Sequence, residues 1–191
     1  MIQRLLFLDI DGVLNSTAWF KARPKRTNIL KTMSVEEAEA LRANHGFDPV
    51  TVSRLNSLVE RADCDIVISS TWRKLGDRQV GHEHMQRMLK HRGFKHSHRI
   101  IGATPSLDRE ISSSGMWSAQ PRGLEIAAWL AEHGPAQRFV ILDDESDMEH
   151  LAHHLIQTSF TDGGLLDEHV ETALAYLTGP RGPEPDEKKK E

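Results

Sequence analysis

The sequence predicts an α/β fold in which a central parallel sheet lies between layers of helices. Continuous apolar runs occur at residues 4–10, 65–70, 98–105 and 138–144, and such runs are typical of parallel strands that are covered on both faces. Amphipathic segments of helical period separate these runs. Because strands and helices alternate along the chain, we expect parallel strands joined by helical crossovers.

The predicted helices carry recognisable end signals. The helix at residues 48–63 has Pro49 near its start and apolar residues on one face, and the helix at residues 122–134 ends at Gly134. The remaining helices are predicted at residues 33–44, 81–93 and 167–177, and a fifth strand is predicted at residues 155–160.

Length and composition predict one ordinary globular domain. The chain has 191 residues, of which 38% are hydrophobic and 27% charged, which suits a soluble domain with a sizeable core. We expect this domain to span residues 1–178. Residues 179–191 are rich in proline, glycine and charge and are predicted to be disordered. The net charge of −4 argues against a protein that binds nucleic acid over its whole surface.

The cysteine count and the N-terminal residues indicate the cellular compartment of the protein. Cys64 is the single cysteine, so the chain cannot form an internal disulfide, and a buried structural thiol is expected. The first apolar run is short and is interrupted by Asp9 and Asp11, so it does not resemble a signal peptide, and no run is long enough to span a membrane. These features predict a cytoplasmic protein with no membrane partner; they leave its oligomeric state open.

Three of the predicted strands end in polar residues that could carry chemistry. The carboxyl ends of parallel strands meet at one edge of a sheet, where ligands bind. Four clustered carboxylates repel one another unless a cation lies among them, and an all-oxygen set without thiolate favours Mg²⁺ and a phosphorylated substrate. The residues at these strand ends are Asp9 with Asp11, Ser69 with Ser70, and Asp143 with Asp144.

The positions of these residues suggest separate roles. Asp9 is the candidate nucleophile that attacks phosphorus, and Asp11, two residues later, is the candidate general acid and base. Gly12 allows a sharp turn and a close approach of phosphate. Ser69 could donate a hydrogen bond to a phosphate oxygen, and Arg122 could balance the phosphate charge.

Four segments together resemble the haloacid dehalogenase (HAD)-like superfamily of phosphotransferases. FLDIDGVLN is similar to the first motif of that superfamily, IVISS to the second and VILDDESD to the fourth, and Arg122 stands where the third motif has a lysine or arginine. The resemblance implies a Rossmann-like three-layer fold with a small cap or none, Mg²⁺ as the cofactor, and an aspartyl-phosphate formed on Asp9. It also implies that Asp147 helps to orient Arg122.

The resemblance also implies a set of metal ligands. They are the Asp9 carboxylate, the backbone carbonyl of Asp11, and one of the pair Asp143 and Asp144. Many members of the superfamily have glycine–aspartate at that pair, which favours Asp144 as the direct ligand and Asp143 as its neighbour.

Two further segments, SSTWR and RGLEIAAWL, resemble a narrower group. These segments are similar to those of the phosphatase domains in Swiss Army Knife RNA-repair proteins, and polynucleotide kinase–phosphatases have a similar serine and a nearby arginine after the second strand. The resemblance implies that Ser70 and Arg73 contact the substrate phosphate. Arg122 replaces the more usual lysine of the third motif, which keeps the charge but changes its reach.

The substrate is less closely constrained. The insertion at residues 15–44 is short, and the one at residues 73–120 is longer but modest. This predicts an open site, which suits a large substrate such as an RNA or DNA end with a 3′-phosphate. Eight basic residues against two acidic ones between Arg73 and Arg99 could line such a cleft or simply form a solvated helix face. A small-metabolite phosphatase, a phosphotransferase and a non-catalytic phosphate- or nucleic-acid-binding protein remain alternatives.

Overall fold

A computed structural model describes most of the chain. The helix predicted at residues 33–44 lies outside the described residues, as do residues 181–191 of the predicted tail. The described residues are 4–22, 46–75, 78–79, 81–107, 110–111, 117–118, 120–134, 136 and 138–180.

The central sheet has five strands, and every neighbouring pair is parallel, which confirms the predicted fold class. Its strands are β1 (Arg4–Leu8), β2 (Asp65–Ile68), β5 (Ile100–Ala103), β8 (Arg138–Asp143) and β9 (Leu155–Gln157). They lie side by side in the order β5-β2-β1-β8-β9. Two short antiparallel ladders join β3 (Lys74–Leu75) to β4 (Arg78–Gln79) and β6 (Glu110–Ile111) to β7 (Trp117–Ser118).

Five α-helices accompany the sheet in the described part of the chain. They are α1 (Thr17–Ala22), α2 (Pro49–Ala62), α3 (His82–His91), α4 (Arg122–His133) and α5 (Asp167–Thr178). The start of α2 follows from its sequence, because the Asp48 side chain accepts a hydrogen bond from the Val50 N–H and Pro49 stands at the first helical position. None of the described helices has the length and apolar character needed to cross a bilayer.

The helices form two layers because side chains alternate along β1. Leu6 and Leu8 pack with buried residues of α2, α3 and α5 on one face of the sheet. Leu5 and Phe7 pack on the other face with α4, where the Trp129 ring meets the Phe7 ring edge-on at a centroid distance of 5.6 Å. These four apolar side chains are fully buried, and each contributes about 1.5–3 kcal/mol of hydrophobic stabilisation.

Trp129 and Cys64 are both buried, and the burial of Cys64 confirms the predicted structural thiol. Trp129 is a core residue, with 3% of its surface exposed. Cys64 is fully buried in the larger core, and its burial raises the pKa of the thiol to about 12. A thiol with so high a pKa is protonated at neutral pH and unreactive.

Candidate active site

The strands end earlier than predicted, but the backbone pairing continues past their ends. The Asp9 N–H donates to Leu142 O at 2.9 Å, and the Ser69 N–H donates to Leu8 O at 2.8 Å. After β9, the outermost strand, the Thr158 N–H donates to Asp143 O at 2.9 Å. These bonds hold the residues that follow β1, β2 and β9 together with the end of β8 at the carboxyl edge of the sheet, as parallel topology requires.

Three aspartates meet at this edge. One carboxylate oxygen from each of Asp9, Asp143 and Asp144 lies within 4.8 Å of the others, and no other such group of metal-competent side chains occurs among the described residues. Asp9 is 5% exposed and Asp143 is 1% exposed. The Asp143 Oδ2 atom is buried and accepts no hydrogen bond from the described residues.

Burial changes the protonation of these carboxyls. Desolvation raises the pKa of Asp9 to about 6, although the Arg122 charge and hydrogen bonds from Ser70 and the Ile10 backbone oppose the rise. Desolvation and the neighbouring Asp9 charge raise the pKa of Asp143 to about 8. Desolvation also raises the pKa of Asp144. The fully ionised cluster therefore needs added positive charge at neutral pH.

A divalent cation fits this cluster. A buried carboxylate oxygen without a hydrogen-bond partner is unfavourable, and a cation among the three aspartates would satisfy it. The donor set is entirely oxygen, which suits a hard cation. The residues able to hold the cation are Asp9, Asp143 and Asp144.

Gly12 makes room for this arrangement. Its φ angle is +72°, and a Cβ atom at this position would overlap the carboxylate of Asp144. The hydroxyl of the buried Thr158, which follows β9, donates to Gly12 O at 2.7 Å and fixes the turn. The sequence motif therefore needs glycine both for its backbone conformation and for the approach of Asp144.

Asp11 lies beside the cluster, with a donor on each carboxylate oxygen. The Asn15 Nδ2 atom donates to Asp11 Oδ1 at 2.7 Å, and the Trp72 Nε1 atom donates to Asp11 Oδ2 at 2.8 Å. The Asp11 charge also raises the pKa of Asp9 and of Asp144, although it is not the main cause at either residue. The candidate acid and base is thus held near the candidate nucleophile.

Arg122 reaches the aspartates from the first turn of α4. Its Nη2 atom lies 3.8 Å from Asp9 Oδ1, and its Nε atom lies 3.5 Å from Asp143 Oδ2. Asp147 accepts the Arg122 backbone N–H at 2.9 Å, so it caps the start of the helix rather than binding the guanidinium. Gly123 packs directly on the Met148 backbone, where a Cβ atom would overlap it.

Arg73 lies deeper than its predicted role as a direct phosphate contact suggests. It is 1% exposed, and its guanidinium donates to Glu125 Oε2 and to Ser70 O, both at 2.7 Å. The same Glu125 oxygen accepts from Arg122 Nη1 at 3.3 Å. Glu125 therefore joins the buried Arg73 to the arginine that faces the aspartates.

The two serines after β2 have different surroundings. Ser70 makes a side-chain hydrogen bond with Asp9. The Ser69 hydroxyl is buried and has no hydrogen-bond partner among the described residues. Ser70 is therefore the serine in direct contact with the candidate nucleophile, and the phosphate contacts predicted for both serines stay predictions.

Asn15 and Glu125 were not among the predicted site residues. Each lies about one helical turn along the chain from a predicted residue: Asn15 is four residues after Asp11, and Glu125 is three residues after Arg122. That spacing was a usable signal.

The basic stretch between Arg73 and Arg99 does not act as one surface. Arg73 is buried against Glu125, and Arg99 pairs with Asp63 and Asp65. Arg87, Lys90 and Lys95 are exposed. Two of the eight basic side chains are therefore neutralised within the fold.

A comparison with protein families agrees with this geometry. A family model described as the HAD domain in Swiss Army Knife RNA repair proteins matches residues 5–170, a range that runs from β1 into α5 and contains every residue of the site. Neither the curated proteins nor the solved structures gave a match. The match covers most of the chain, and the chain therefore belongs to the family of HAD domains found in Swiss Army Knife RNA repair proteins.

Proposed function

We propose that the protein is a Mg²⁺-dependent phosphomonoesterase that works through an aspartyl-phosphate on Asp9. The observation that carries the proposal is the meeting of Asp9, Asp143 and Asp144 at one sheet edge, with Arg122 beside them. A site for binding alone would not need a second carboxylate, Asp11, held by two donors next to the first. This pairing favours catalysis over the non-catalytic alternative.

The first half of the reaction transfers the phosphoryl group to the protein. The Asp9 carboxylate attacks phosphorus, and the bond between phosphorus and the leaving oxygen breaks. Asp11, as the general acid, gives its proton to that oxygen, which leaves as an alcohol. Arg122 faces the negative charge on the non-bridging phosphate oxygens.

The second half restores the protein. Asp11, now ionised, accepts a proton from water, and the water oxygen attacks phosphorus and displaces the Asp9 carboxylate as inorganic phosphate is released. Burial favours protonated Asp9, and nearby positive charge favours the ionised form that acts as the nucleophile. A bound Mg²⁺ would supply that charge and neutralise phosphate oxygens; its protein ligands would be Asp9, Asp143 or Asp144, and the Asp11 backbone carbonyl.

We further propose a nucleotide or a nucleic-acid end with a terminal 3′-phosphate as the substrate. The family to which the chain belongs is described by its occurrence in RNA repair proteins, and the exposed Arg87, Lys90 and Lys95 could attract a polyanion. The reaction products distinguish hydrolysis from phosphoryl transfer to another hydroxyl. The preferred substrate distinguishes a nucleic-acid end from a small metabolite.

Asp9→Asn tests the nucleophile. The variant keeps the size of the side chain but cannot form the acyl phosphate, so inorganic phosphate release should fall by about 10³-fold or more. Asp167→Asn is the matched control, because it makes the same chemical change at an exposed residue that pairs with Arg54, and it should retain full activity. An active Asp9→Asn variant would show that the nucleophile is another group.

A substrate panel tests the rest of the proposal. It should contain mononucleotides, oligonucleotides phosphorylated at the 3′ or 5′ end, and sugar phosphates, each with Mg²⁺ and with a chelator. Preference for 3′-phosphorylated ends and loss of activity with the chelator are expected. Saturable binding without phosphate release across the panel would support the non-catalytic alternative.

A further inference from the structure

The two hydrogen bonds to Asp11 come from different parts of the fold. Asn15 follows β1 and is fully buried. Its Oδ1 atom accepts the Gly12 N–H at 3.1 Å, which leaves its amide nitrogen directed at Asp11. Trp72 lies 61 residues from Asp11 along the chain, in a 3₁₀ turn after β2. The second oxygen of Asp11 is therefore held by a residue that only the tertiary fold brings near it.

The Trp72 ring is itself held in place. It packs against the Phe47 ring with the centroids 5.3 Å apart. The backbone of Gly46 comes so close that a Cβ atom there would lie 2.9 Å from the edge of the indole. The next residue, Arg73, is fixed by Glu125 and by Ser70 O. With the ring packed and the turn anchored, the indole N–H has a fixed direction.

We propose that Trp72 is a positioning residue that, through its indole N–H, holds Asp11 in the orientation needed to protonate the leaving oxygen. This inference rests on the proposed phosphatase function. A carboxyl group has about four lone-pair sites, so the two donors leave room for the proton that Asp11 transfers. Fixing the rotamer in advance removes an ordering cost from the transition state.

The proposal predicts an effect that depends on the leaving group. A nucleoside or alkyl phosphate expels a basic alkoxide unless its oxygen is protonated, whereas 2,4-dinitrophenyl phosphate expels a stable phenolate without help. The value of kcat/KM reports on steps up to the first irreversible one, which here is transfer to Asp9. Loss of a correctly placed acid should therefore reduce kcat/KM for the first substrate and spare it for the second.

Trp72→Phe keeps an aromatic ring against Phe47 and removes the N–H donor. We expect kcat/KM for a nucleoside monophosphate to fall by about 10- to 100-fold, within the usual range for general-acid catalysis, and kcat/KM for 2,4-dinitrophenyl phosphate to change by less than about threefold. Trp19→Phe is the matched control, because the Trp19 Nε1 atom has no hydrogen-bond partner among the described residues; it should change neither value.

The outcomes separate this inference from the proposed function. An equal loss for both substrates would indicate a structural role and overturn the inference, as would no loss for either. A wild-type protein that releases phosphate from neither substrate would overturn the proposed function, and this inference with it.

A second measurement decides the question if Trp72→Phe fails to fold. The indole proton of Trp72 should move upfield in the NMR spectrum of Asp11→Ala, because its hydrogen bond is lost, while the indole proton of Trp19 stays in place. An unmoved Trp72 resonance would show that the hydrogen bond does not exist in solution and would overturn the proposal.

Discussion

The buried ion pair between Arg73 and Glu125 offers a sharp test of how the site is supported. The side chains of Arg73 and Glu125 are 1% and 10% exposed, and their closest atoms are 2.7 Å apart. Burial lowers the pKa of Arg73, and the Glu125 charge raises it again. Arginine nevertheless stays protonated in proteins, so Glu125→Leu would leave a positive charge buried without its partner.

The expected cost follows from the burial. Removing one partner of a buried pair costs about 3–5 kcal/mol, which for a chain of this size lowers Tm by roughly 6–20 °C. Arg73→Met alone should be similarly costly, since it leaves Glu125 with only the longer Arg122 contact at 3.3 Å. Arg73→Met with Glu125→Leu removes both charges, and such replacements are often neutral or stabilising by about 1–4 kcal/mol.

Denaturant unfolding and phosphatase kinetics together complete the test. The double variant should regain most of the stability, but its kcat/KM should stay about tenfold or more below wild type, because Arg122 has lost the carboxylate that holds it beside Asp9. Glu171→Leu breaks an exposed pair with Arg61 and should leave both measurements nearly unchanged. A stable Glu125→Leu variant, or a double variant with full activity, would refute this reasoning.

Two further predictions concern the carboxylates. The native pKa values of Asp9 and Asp143, about 6 and about 8, lie above the unfolded value of 3.8, so their contribution to stability is present below about pH 4 and is lost as the pH rises through 6 and then 8. With a chelator present, Tm should therefore fall over this pH range, and it should fall less steeply in Asp143→Asn. Mg²⁺ should raise Tm more at pH 8 than at pH 5. A Tm that rises from pH 5 to pH 8 in the presence of chelator would contradict this prediction. Gly12→Ala should raise the Mg²⁺ concentration needed for half-maximal activity, since it displaces Asp144. Gly93→Ala is the control, because Gly93 is also at positive φ but has nothing within 4 Å of the added Cβ atom. It should strain the backbone by about 1–2 kcal/mol without changing the Mg²⁺ requirement. Equal Mg²⁺ requirements in both variants would show that the Asp144 contact is unimportant.

The match between prediction and structure differs from residue to residue for physical reasons. The order of strands and helices was predictable, because an apolar run such as β1 must be buried on both faces wherever it occurs. The convergence of Asp9 with Asp143 and Asp144 was also predictable, because parallel topology alone brings strand ends together. The strand ends were predicted too late at Asp9 and at Ser69, since polar residues that keep the backbone pairing look like strand in a sequence.

The surroundings of individual side chains were harder to predict. Arg73 reads as a phosphate contact beside Ser70, and nothing near it in sequence indicates that Glu125, 52 residues away, holds it in the interior. In the sequence, nothing marks Trp72 as different from other aromatic residues near the site. Only the structure shows that its indole N–H donates to Asp11, 61 residues away. Such pairings depend on distances across the fold.

The sequence by itself determined the layered α/β architecture and the edge of the sheet where the acidic residues meet, and it suggested the ion and the substrate that we propose for them. These properties follow from hydrophobic runs and from local spacing, which act over a few residues. Only the tertiary structure decided which charges face the three aspartates and which are neutralised inside the fold, and which donors hold Asp11. Those interactions act over a few ångströms between residues far apart in the chain, so they exist only once the helices have packed on the sheet.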